Sequence, residues 1–464
     1  MNLQQTTHFI GIGGTGLSAI ARVLVERGER VTGSDREDSP SAQSLRQLGV
    51  KVNIGHAAGN VNGATRVIRS SAVGEDNVEV QAAHAKGLPV FKRSEFLGEL
   101  LANQQVIAVA GTHGKTTTTA MLAWILTALN QKPGYIIGSA AQNLGANAAA
   151  GAGRFFVIEA DEYDHMFLGL SPKLALVTNV EYDHPDLFPT ASDFQRTFET
   201  FIDGIQVGGI LLACDEDAGA SELLAYAKAN GTQTRIYSQN HPYSDYWMDA
   251  LTASETSANS FIAMKGSTRL TEVKLQIAGR HNALNALGAL AVADQLGLSV
   301  AEAAMALSDF RGTDRRFQVR GEASGVLIID DYAHHPTEIR STLAAARAQY
   351  TRRRIVAVWQ PHTYSRTLTL QKDFEQAFKD ADQVVVIDVY AAREQKPAGF
   401  DMSVIVKSIQ HPSARYVPTL AEVHAVLQAD LQPGDVLIVM SAGDAIEMSA
   451  KLFSSLKKKE EKHA

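Results

Sequence analysis

Cysteine is nearly absent from this chain of 464 residues, in which Cys214 is the only one. A single cysteine excludes an intramolecular disulfide and a metal cluster held by cysteine alone, and it is typical of a reducing compartment. Long apolar runs are also lacking, since none reaches the roughly 18 residues that a membrane-spanning helix requires. Residues 1–7 are polar and uncharged, unlike the start of a signal peptide. We therefore expect a cytoplasmic protein without membrane insertion.

The chain also lacks an excess of positive charge, since its formal net charge is −7 at pH 7. Such a balance provides no basic field that would attract nucleic acid or an acidic membrane. Hydrophobic residues make up 45% of the sequence and charged residues 20%, an ordinary composition for a globular protein. At roughly 100–200 residues per domain, this length predicts two to four domains, each large enough to bury a core. We expect small-molecule partners and a monomer or weak homodimer.

A glycine-containing turn at residues 110–117 predicts a nucleotide-triphosphate site. It follows an apolar run and precedes an apolar-periodic one, which indicates a strand, a tight turn and a helix. Gly111 and Gly114 allow the backbone N–H groups to surround an anion, and the helix adds its positive N-terminal end. Lys115 supplies a mobile positive charge, and Thr116 supplies a hydroxyl for Mg²⁺. The spacing G-x-x-G-K-T is shorter than that of a Walker A motif.

A second glycine-rich turn, Gly11–Gly16, lies near the start of the chain between a strand pattern and a helix pattern. Ser34 and Asp35 follow about 20 residues later, at the end of a second predicted strand. On spacing alone this is a dinucleotide fingerprint with Asp35 on a ribose hydroxyl, and it does not separate a nicotinamide cofactor from a UDP-sugar. Further candidates for a diphosphate contact, with ordinary loop positions as the alternative, are Ser70, Ser71 and Arg93.

Two predicted strands in the middle of the chain, 155–158 and 174–178, each end in acidic residues. The runs that follow them are Glu159 to Asp164 and Asn179 to His184. Because the carboxyl ends of parallel strands meet at one edge of a sheet, these groups should lie near the phosphate loop. Mg²⁺ prefers hard oxygen ligands, which favours Glu159, and His184 is a candidate ligand for a second cation. A solvated turn is the alternative for the other acids.

Residues 245–277 are rich in Ser and Thr and predict a β-hairpin side sheet. Asn282 and Asn285 then lie three residues apart at the start of an Ala/Leu-rich helix, on one helical face. Their amides suit a base edge or a ribose, and buried structural hydrogen bonding is the alternative. From Gly325 onward, a third series of predicted strands ends in polar and aromatic residues. We therefore predict an α/β protein.

Three domains are expected from this order of patterns. Residues 1–103 form a Rossmann-like domain with the first glycine turn. Residues 104–317 form a central P-loop ATPase-like domain. Residues 318–464 form a second Rossmann-like domain at the C-terminus. Because the predicted ligand sites are divided among the three, we also expect domain closure when ATP binds.

As a set, these motifs resemble those of the Mur ligases, ATP-dependent enzymes that form amide bonds in peptidoglycan precursors. The resemblance covers essentially the whole chain, in the order Gly11–Gly16, Gly33–Asp35, Gly111–Thr116, Glu159–Asp164, Thr178–His184, His281–Asn285, Arg315–Phe317 and Asp331–Glu338. Within the family, the first turn, Ser-Ser-Ala and D-D-Y-x-H-H-P-T-E are similar to members that add L-alanine to UDP-N-acetylmuramate. The alternative is the members that recycle the tripeptide L-Ala-γ-D-Glu-meso-diaminopimelate, which share the His-containing phosphate loop and Glu-Ala-Asp-Glu.

The resemblance implies ATP and Mg²⁺ as cofactors and a UDP-sugar, not a dinucleotide, in the N-terminal domain. The implied catalytic residues are Lys115, Glu159, His184, Arg316, Asp331 and His334, with Thr116, Glu159 and His184 on the metal. The implied ATP contacts are Gly111, Thr112, His113, Gly114, Lys115, Thr116, Thr117, His281, Asn282, Asn285, Arg316 and Asp331. The implied contacts to the UDP substrate are Gly13, Gly14, Thr15, Gly16, Ser34, Asp35, Ser70, Ser71 and Arg93. The residues implied to face the amino acid are Tyr332, His334, His362 and Arg366.

Two departures distinguish the chain within the family. Members that add later residues carry a carbamoylated lysine beyond the histidine, but no lysine occurs between Pro185 and Gly209. This agrees with an L-alanine or tripeptide enzyme. The family's amino-acid loop commonly reads Q-P-H-R-Y-[ST]-R, and here Thr363 replaces the first arginine, leaving Arg366 of that pair.

Two other classes of protein remain open at this point. The first glycine turn with Asp35 is also typical of an NAD(P)-dependent oxidoreductase, although such an enzyme has no use for a phosphate loop at Gly111. A non-catalytic ATP-binding regulator would keep that loop without forming a product. Loss of ATP-dependent product formation in Lys115→Ala would exclude the regulator.

Overall fold

The computed structural model describes residues 5–252 and 259–463. Within these residues the strands form three sheets, each built from one part of the chain. Helices alternate with strands in all three parts, so the predicted α/β class with three domains is confirmed. No helix in the described part of the chain is long and apolar enough to cross a membrane.

The N-terminal sheet is 5-stranded and wholly parallel. Its strands are β1 (Thr6–Ile10), β2 (Arg30–Asp35), β3 (Lys51–Ile54), β4 (Arg66–Arg69) and β5 (Val90–Lys92). Its helices are α1 (Thr15–Glu26), α2 (Pro40–Gln47), α3 (Val78–Ala85) and α4 (Arg93–Leu101), with a 3₁₀ turn at Ala58–Val61. The order β3-β2-β1-β4-β5 reverses beside β1, where parallel sheets bind ligands, and the first glycine turn follows β1 directly.

The central sheet is 10-stranded and mixed. Its strands are β6 (Gln105–Ala110), β7 (Gly134–Ala141), β8 (Ala146–Ala149), β9 (Phe155–Glu159), β10 (Leu174–Val177), β11 (Ile210–Cys214), β12 (Gln233–Ser238), β13 (Tyr246–Thr252), β14 (Asn259–Lys265) and β15 (Thr268–Leu275). Its helices are α5 (Lys115–Ala128), α6 (Ala191–Asp203), α7 (Ala218–Ala229), α8 (Arg280–Gln295) and α9 (Val300–Ser308), with a 3₁₀ segment at Tyr163–Gly169. The order is β15-β14-β13-β12-β11-β10-β6-β9-β7-β8, so the ends of β10 and β9 flank the phosphate loop that follows β6.

The C-terminal sheet is 6-stranded, and only its first strand is antiparallel to its neighbour. Its strands are β16 (Gln318–Ala323), β17 (Val326–Asp331), β18 (Ile355–Gln360), β19 (Gln383–Val386), β20 (Ala414–Tyr416) and β21 (Val436–Ser441). Its helices are α10 (Pro336–Gln349), α11 (Tyr364–Thr369), α12 (Gln371–Phe374), α13 (Met402–Ser408), α14 (Leu420–Asp430) and α15 (Ala445–His463). The order β16-β17-β21-β18-β19-β20 places the ends of β17 and β18 on either side of β21.

The central strands are apolar runs because helices cover both faces of their sheet. Strand β6 is buried from Val106 to Ala110, and β10 is buried throughout. The N-terminal and central parts share one core, in which Phe9 of β1 belongs to the same apolar cluster as Phe198 of α6. This shared core holds the first glycine turn beside the central sheet.

The predicted β-hairpin side sheet is not separate from the central sheet. Tyr237 and Ser238 at the end of β12 pair in parallel with Tyr246 and Trp247 of β13, and β13 to β15 continue as an antiparallel meander. The segment therefore extends the central sheet, because this pairing satisfies the edge of β12. Residues 253–258 of the predicted segment lie outside the described residues.

Candidate active site

The phosphate loop connects β6 to α5 and requires both of its glycines. Gly111 has a φ of +128° and Gly114 a φ of +81°, which residues with a Cβ rarely adopt. A Cβ atom on Gly111 would lie 2.2 Å from the Thr178 hydroxyl, and one on Gly114 would lie 2.8 Å from Asn285 Oδ1. The loop is therefore enclosed between the end of β10 and helix α8.

The start of α5 presents a row of unbonded backbone donors. Among the described residues, no acceptor bonds to the N–H groups of residues 114–117. The N–H groups of Thr112 and His113 are held by Asn179, at 3.0 and 2.9 Å respectively. Free N–H groups at the positive end of a helix are the arrangement that binds phosphate. This geometry agrees with the predicted nucleotide site.

Lys115 lies inside the loop and is paired with an acid. Its Nζ donates to the backbone carbonyls of Gly111 and Thr112 at 2.6 and 3.1 Å. The same atom lies 2.8 Å from Glu162, whose residue is only 1% exposed. Burial opposes ionisation of Glu162, but Lys115 and His184 together outweigh it and hold the pKa of Glu162 below its ordinary value. In this structure Lys115 is therefore bound in a charged pair at the position where phosphate oxygens are expected.

Thr116 and Glu159 are brought together, as the predicted magnesium site requires. The Thr116 hydroxyl donates to Glu159 Oε1 at 2.9 Å, and the Gly138 N–H donates to Glu159 Oε2 at 2.6 Å. Burial raises the pKa of Glu159, so a cation beside it would stabilise its charged form. A hydroxyl and a carboxylate are hard oxygen donors of the kind Mg²⁺ prefers, so the donor set fits the ion.

His184, the third predicted metal ligand, lies against other partners. Its Nε2 is 3.6 Å from Glu162 Oε1, and its Nδ1 accepts from the Arg366 guanidinium at 3.3 Å. In the part of the chain that the structure describes, no hydrogen bond or ion pair joins His184 to Thr116 or Glu159. The structure therefore does not unite the three predicted ligands in one set, and His184 remains a candidate for a second cation.

A cavity of about 270 Å³ opens from the phosphate loop toward α8 and the C-terminal sheet. The predicted nucleotide residues on its wall are His113, Gly114, Thr116, Thr117, His281, Asn282, Asn285, Arg316 and Asp331. Asn282 donates to the Ala278 carbonyl at 2.6 Å and accepts from Asn285 at 3.3 Å, so its amide makes structural hydrogen bonds as well as lining the cavity. Burial lowers the pKa of His281 to about 4, which leaves this imidazole neutral at pH 7.

Asp331 anchors the segment that carries Arg316. Its carboxylate accepts the N–H groups of Phe317 and Ala333, both at 2.7 Å. Burial raises the pKa of Asp331 to about 6. Arg316 reaches Glu338 at 3.5 Å and lies 4.9 Å from the centre of the Tyr332 ring. The end of β17 therefore sets the position of this guanidinium beside the nucleotide cavity.

His113 joins the phosphate loop to the C-terminal domain. Its Nε2 lies 3.0 Å from Glu181, and its Nδ1 lies 3.3 Å from Glu338 at the start of α10. Glu181 in turn accepts a hydrogen bond from the Thr337 hydroxyl at 2.7 Å. His113, a predicted ATP contact, thus has a carboxylate beside each of its two ring nitrogens. We refer to His113, Glu181, Thr337 and Glu338 as the domain clasp.

Because of the domain clasp, the stability of the folded protein should fall as the pH becomes alkaline. Burial disfavours protonated His113, but Glu181 and Glu338 outweigh it and raise the pKa of His113 to about 9, above the value of about 6.5 for an unfolded histidine. The folded protein therefore holds an extra proton between these values. Its stabilising effect is complete below about pH 6.5 and is lost as the pH rises through about 9.

Melting temperatures measured from about pH 6 to about pH 10 test this expectation. The wild-type protein should lose more stability over this range than His113→Gln, whose amide can still donate to a carboxylate but does not titrate. Parallel curves for the two proteins would contradict the assigned proton.

A larger cleft of about 510 Å³ runs from the phosphate loop between the three sheets. Its N-terminal wall is formed by Thr15, Gly16 and Arg93. Its central wall includes Thr112, Gly114, Lys115, Thr116, Glu159 and His184. Its C-terminal wall includes Arg316, Tyr332, His334, His362 and Arg366. Most of the predicted catalytic and amino-acid residues therefore share one space with part of the first glycine turn.

Other predicted contacts of the N-terminal domain have protein partners in this structure. Ser34 is fully buried, and its hydroxyl donates to Glu79 at 2.6 Å. Asp35 accepts the Gly13 N–H at 2.7 Å, while the Ser70 hydroxyl accepts the N–H of residue 72. Ser71 donates to Asp164 of the central domain, and Gly14 begins the first turn of α1 as its N-cap. These residues shape the turn, and the structure does not place Ser34 at the cleft surface.

The amino-acid end of the cleft contains a buried ion pair. Arg366 is 2% exposed and Asp183 is 3% exposed, and they bind through two hydrogen bonds of 2.7 and 3.2 Å. The His334 ring lies 5.8 Å from the His362 ring, and Tyr332 lies 5.3 Å from His334. Because Arg366 and Asp183 come from different domains, the pair also closes the cleft at this end.

Several acids that hold the site together were not singled out from sequence: Glu162, Glu181, Asp183 and Glu338. In the sequence Glu162 is one member of an acidic turn, whereas in the structure it is the buried partner of Lys115. Glu338 carried a usable signal, because an acid three residues after a helix N-cap forms a capping box, here with His335. The others stand in runs of similar acids, and only the fold distinguishes them.

Comparison with known proteins identifies the family. Residues 6–105 match the family model described as Mur ligase family, catalytic domain, and residues 109–293 match the Mur ligase middle domain. Residues 315–443 match the model described as Mur ligase, glutamate ligase domain. The chain therefore belongs to the Mur ligase family, and the resemblance found in its motifs is confirmed.

Among curated relatives, the UDP-N-acetylmuramate–L-alanine ligase of Streptomyces avermitilis is 42% identical over 97% of each chain. The enzyme of the same name from Renibacterium salmoninarum is 41% identical over 97% of this chain and 95% of the relative. Among solved structures, the UDP-N-acetylmuramate-alanine ligase of Thermotoga maritima has a TM-score of 0.82 and 30% identity, covering 98% of this chain and 99% of that one. A murein peptide ligase of Psychrobacter arcticus has a TM-score of 0.72 and 28% identity over the same shares of the chains.

Proposed function

We propose that this protein joins L-alanine to UDP-N-acetylmuramate at the expense of ATP, in the cytoplasm, as a step of peptidoglycan precursor synthesis. The observation that carries the proposal is the cleft in which all three domains meet. It brings the first glycine turn, the phosphate loop and the His334–Arg366 end into one space, as three converging substrates require. Relatives 41% and 42% identical that bear the name of this reaction support the choice of substrates.

The first step activates the lactyl carboxylate of UDP-N-acetylmuramate. A carboxylate oxygen attacks the γ-phosphorus of ATP, ADP leaves, and an acyl phosphate forms. The free N–H groups of residues 114–117 would hold the phosphates, and Lys115 would exchange Glu162 for the transferred phosphoryl group. Arg316 reaches the same space from the C-terminal side. Positioning and charge stabilisation account for this step, because three anionic groups must converge.

A magnesium ion would be held by Thr116 and Glu159, whose oxygens are already 2.9 Å apart. Bound there, the ion supplies charge neutralisation for the phosphate oxygens. Glu162 lies 2.8 Å from the Lys115 ammonium group and 3.6 Å from His184 Nε2. His184, with Glu162 beside it, is the residue left for a second cation.

The second step forms the amide. The amine of L-alanine attacks the acyl carbon, a tetrahedral oxyanion forms, and its collapse expels inorganic phosphate. His334 would accept the proton of the amine. Its Nδ1 lies 2.9 Å from the Tyr332 carbonyl, which only accepts, so Nδ1 carries the hydrogen and Nε2 keeps a lone pair.

Phosphate release with Mg²⁺–ATP and UDP-N-acetylmuramate tests the proposed function. L-alanine should support the fastest turnover, while glycine, L-serine and the tripeptide L-Ala-γ-D-Glu-meso-diaminopimelate should be poorer acceptors. Release that needs both the UDP-sugar and the amino acid would also exclude a simple ATPase. If no acceptor supports phosphate release, the choice of substrates is overturned.

The tripeptide-recycling reaction is the second candidate. It is favoured by the full-length likeness to a structure named murein peptide ligase, although that likeness has the lower TM-score and identity of the two compared. Turnover with the tripeptide alone would assign this reaction instead. We also propose domain boundaries at residues 103 and 317, which the grouping of the strands into three sheets supports. A monomer or weak homodimer is likewise a proposal.

A further inference from the structure

The acceptor's carboxylate needs a cation at the amino-acid end of the cleft, and Arg366 is poorly available for it. Its Nε and Nη2 bind Asp183, and its Nη1 donates to His362 Nδ1 and to the His362 carbonyl at 3.0 and 3.2 Å. Nη2 also reaches His184. Asp183 balances its charge, and both residues are almost fully buried. A carboxylate arriving beside this pair would meet little net charge.

Thr363 lines the cleft beside this pair, and its side chain is shorter than the arginine that is common at this position in the family. Its backbone has a φ of +65°, and the residue is 2% exposed. Its N–H donates to the Tyr390 carbonyl at 3.0 Å, and the Tyr390 N–H donates to the Pro361 carbonyl at 2.8 Å. The loop after β18 is therefore paired with the segment that follows β19, so the two segments form one wall of the cleft.

Glu394 fixes that second segment against helix α11. Its carboxylate accepts hydrogen bonds from the N–H groups of Tyr364 and Ser365 at 2.6 and 3.0 Å. These N–H groups lie at the start of the helix, where the helix itself provides no acceptor. The residue before it, Arg393, is thereby held at the cleft, which it lines together with His362, Thr363 and Arg366.

Arg393 has the free capacity that Arg366 lacks. Its side chain is 53% exposed, and it lies 4.4 Å from the centre of the Tyr163 ring. Its Nη2 bonds to Asp186 at 2.5 Å, and the described residues provide no partner for its Nε or Nη1. Asp186 needs only one of the two Nη2 hydrogens, so the other one, together with Nε–H or Nη1–H, can still bind a carboxylate through two hydrogen bonds. Its charge also reaches His362, whose pKa is lowered to about 4 by burial, then by Arg366 and then by Arg393.

We propose that Arg393 binds the carboxylate of the incoming amino acid and sets the preference for acceptors with a free carboxylate, in the space that Thr363 leaves. The inference rests on the proposed function, since it concerns the acceptor of that reaction. The other cations of the cleft lie elsewhere: Lys115 in the phosphate loop, Arg316 beside Glu338, and Arg93 beside Gly16. Arg315 is engaged by the Ser441 carbonyl at 3.0 Å.

Steady-state kinetics with L-alanine and with L-alaninamide, which lacks the carboxylate, tests the inference. Arg393→Ala should raise the KM for L-alanine by about tenfold to a hundredfold, the effect of losing a charged hydrogen-bonding partner. The KM for L-alaninamide, for ATP and for the UDP-sugar should change by less than about twofold. The wild-type preference for L-alanine over its amide should therefore nearly disappear, and Arg393→Lys should keep part of it.

Lys396→Ala is the matched control, because it removes a cation from the same segment. Lys396 lies 5.9 Å from the centre of the Phe400 ring and does not line the cleft, so its loss should leave all these constants unchanged. An equal rise in KM for L-alanine and its amide in Arg393→Ala would show a structural role, and an unchanged preference for the carboxylate would show no role. Either result would overturn the inference. If no amino acid supports turnover by the wild-type enzyme, the proposed function itself fails.

Discussion

Lys115→Met is expected to abolish ATP-dependent product formation, with a fall in kcat of about a thousandfold or more. Lys115 is the cation inside the phosphate loop, where its Nζ is held over the carbonyls of Gly111 and Thr112. Methionine has a similar length but cannot stabilise charge on the transferred phosphoryl group. Single-turnover measurement of ADP formation is the direct assay.

Loss of Lys115 should also destabilise the fold, and this effect must be separated from catalysis. Glu162 is 1% exposed and would keep only His184, 3.6 Å away, as a partner for its buried charge, so the loss should approach the roughly 3–5 kcal/mol typical of a broken buried pair, about 3 kcal/mol. The double variant Lys115→Met with Glu162→Gln removes that charge, so it should regain most of the lost melting temperature while staying inactive. A folded double variant with substantial turnover would show that Lys115 does not act on the phosphates.

The positions of the strands, helices and glycine turns could be predicted because they depend on local patterns. The apolar run before Gly111 is continuous since helices cover both faces of β6, and the φ values of Gly111 and Gly114 explain why glycine stands there. Local patterns do not predict that β13 extends the central sheet. The extension depends on which edge the segment meets, and alternating residues do not specify a partner strand.

The pairing of charges could not be read from the sequence, because the partners belong to different domains. The position of His113 in the loop predicts a contact to the nucleotide, yet both of its ring nitrogens contact carboxylates, one of them in the C-terminal domain. Asp183 and Arg366 are 183 positions apart and form one buried pair. The position of Ser34 at a strand end predicts a ligand contact, but its hydroxyl faces the interior, where it donates a hydrogen bond to Glu79. Spacing predicts which edge of a sheet carries chemistry, but it does not say which way each side chain faces.

His334→Gln is expected to slow amide formation by about 10²- to 10⁴-fold, the contribution of a general base. Burial lowers the pKa of His334 to about 3, so the imidazole is neutral at pH 7 and a lone pair remains on its Nε2. Formation of the acyl phosphate should continue, since the phosphate loop is unchanged. In a single turnover the variant should therefore form ADP at close to the wild-type rate, and hydroxylamine should trap more acyl phosphate than in the wild type.

His362→Gln provides the comparison, because this ring lies 5.8 Å from His334 and faces the same end of the cleft. If His362 only lines the acceptor site, its loss should raise the KM for L-alanine more than it lowers the rate of amide formation at saturation. Equal losses of rate in the two variants would point to a disturbed acceptor site instead of a missing base. A His334→Gln enzyme that forms the amide at the wild-type rate in a single turnover would remove His334 from this role, and the amine would then have to lose its proton directly to water.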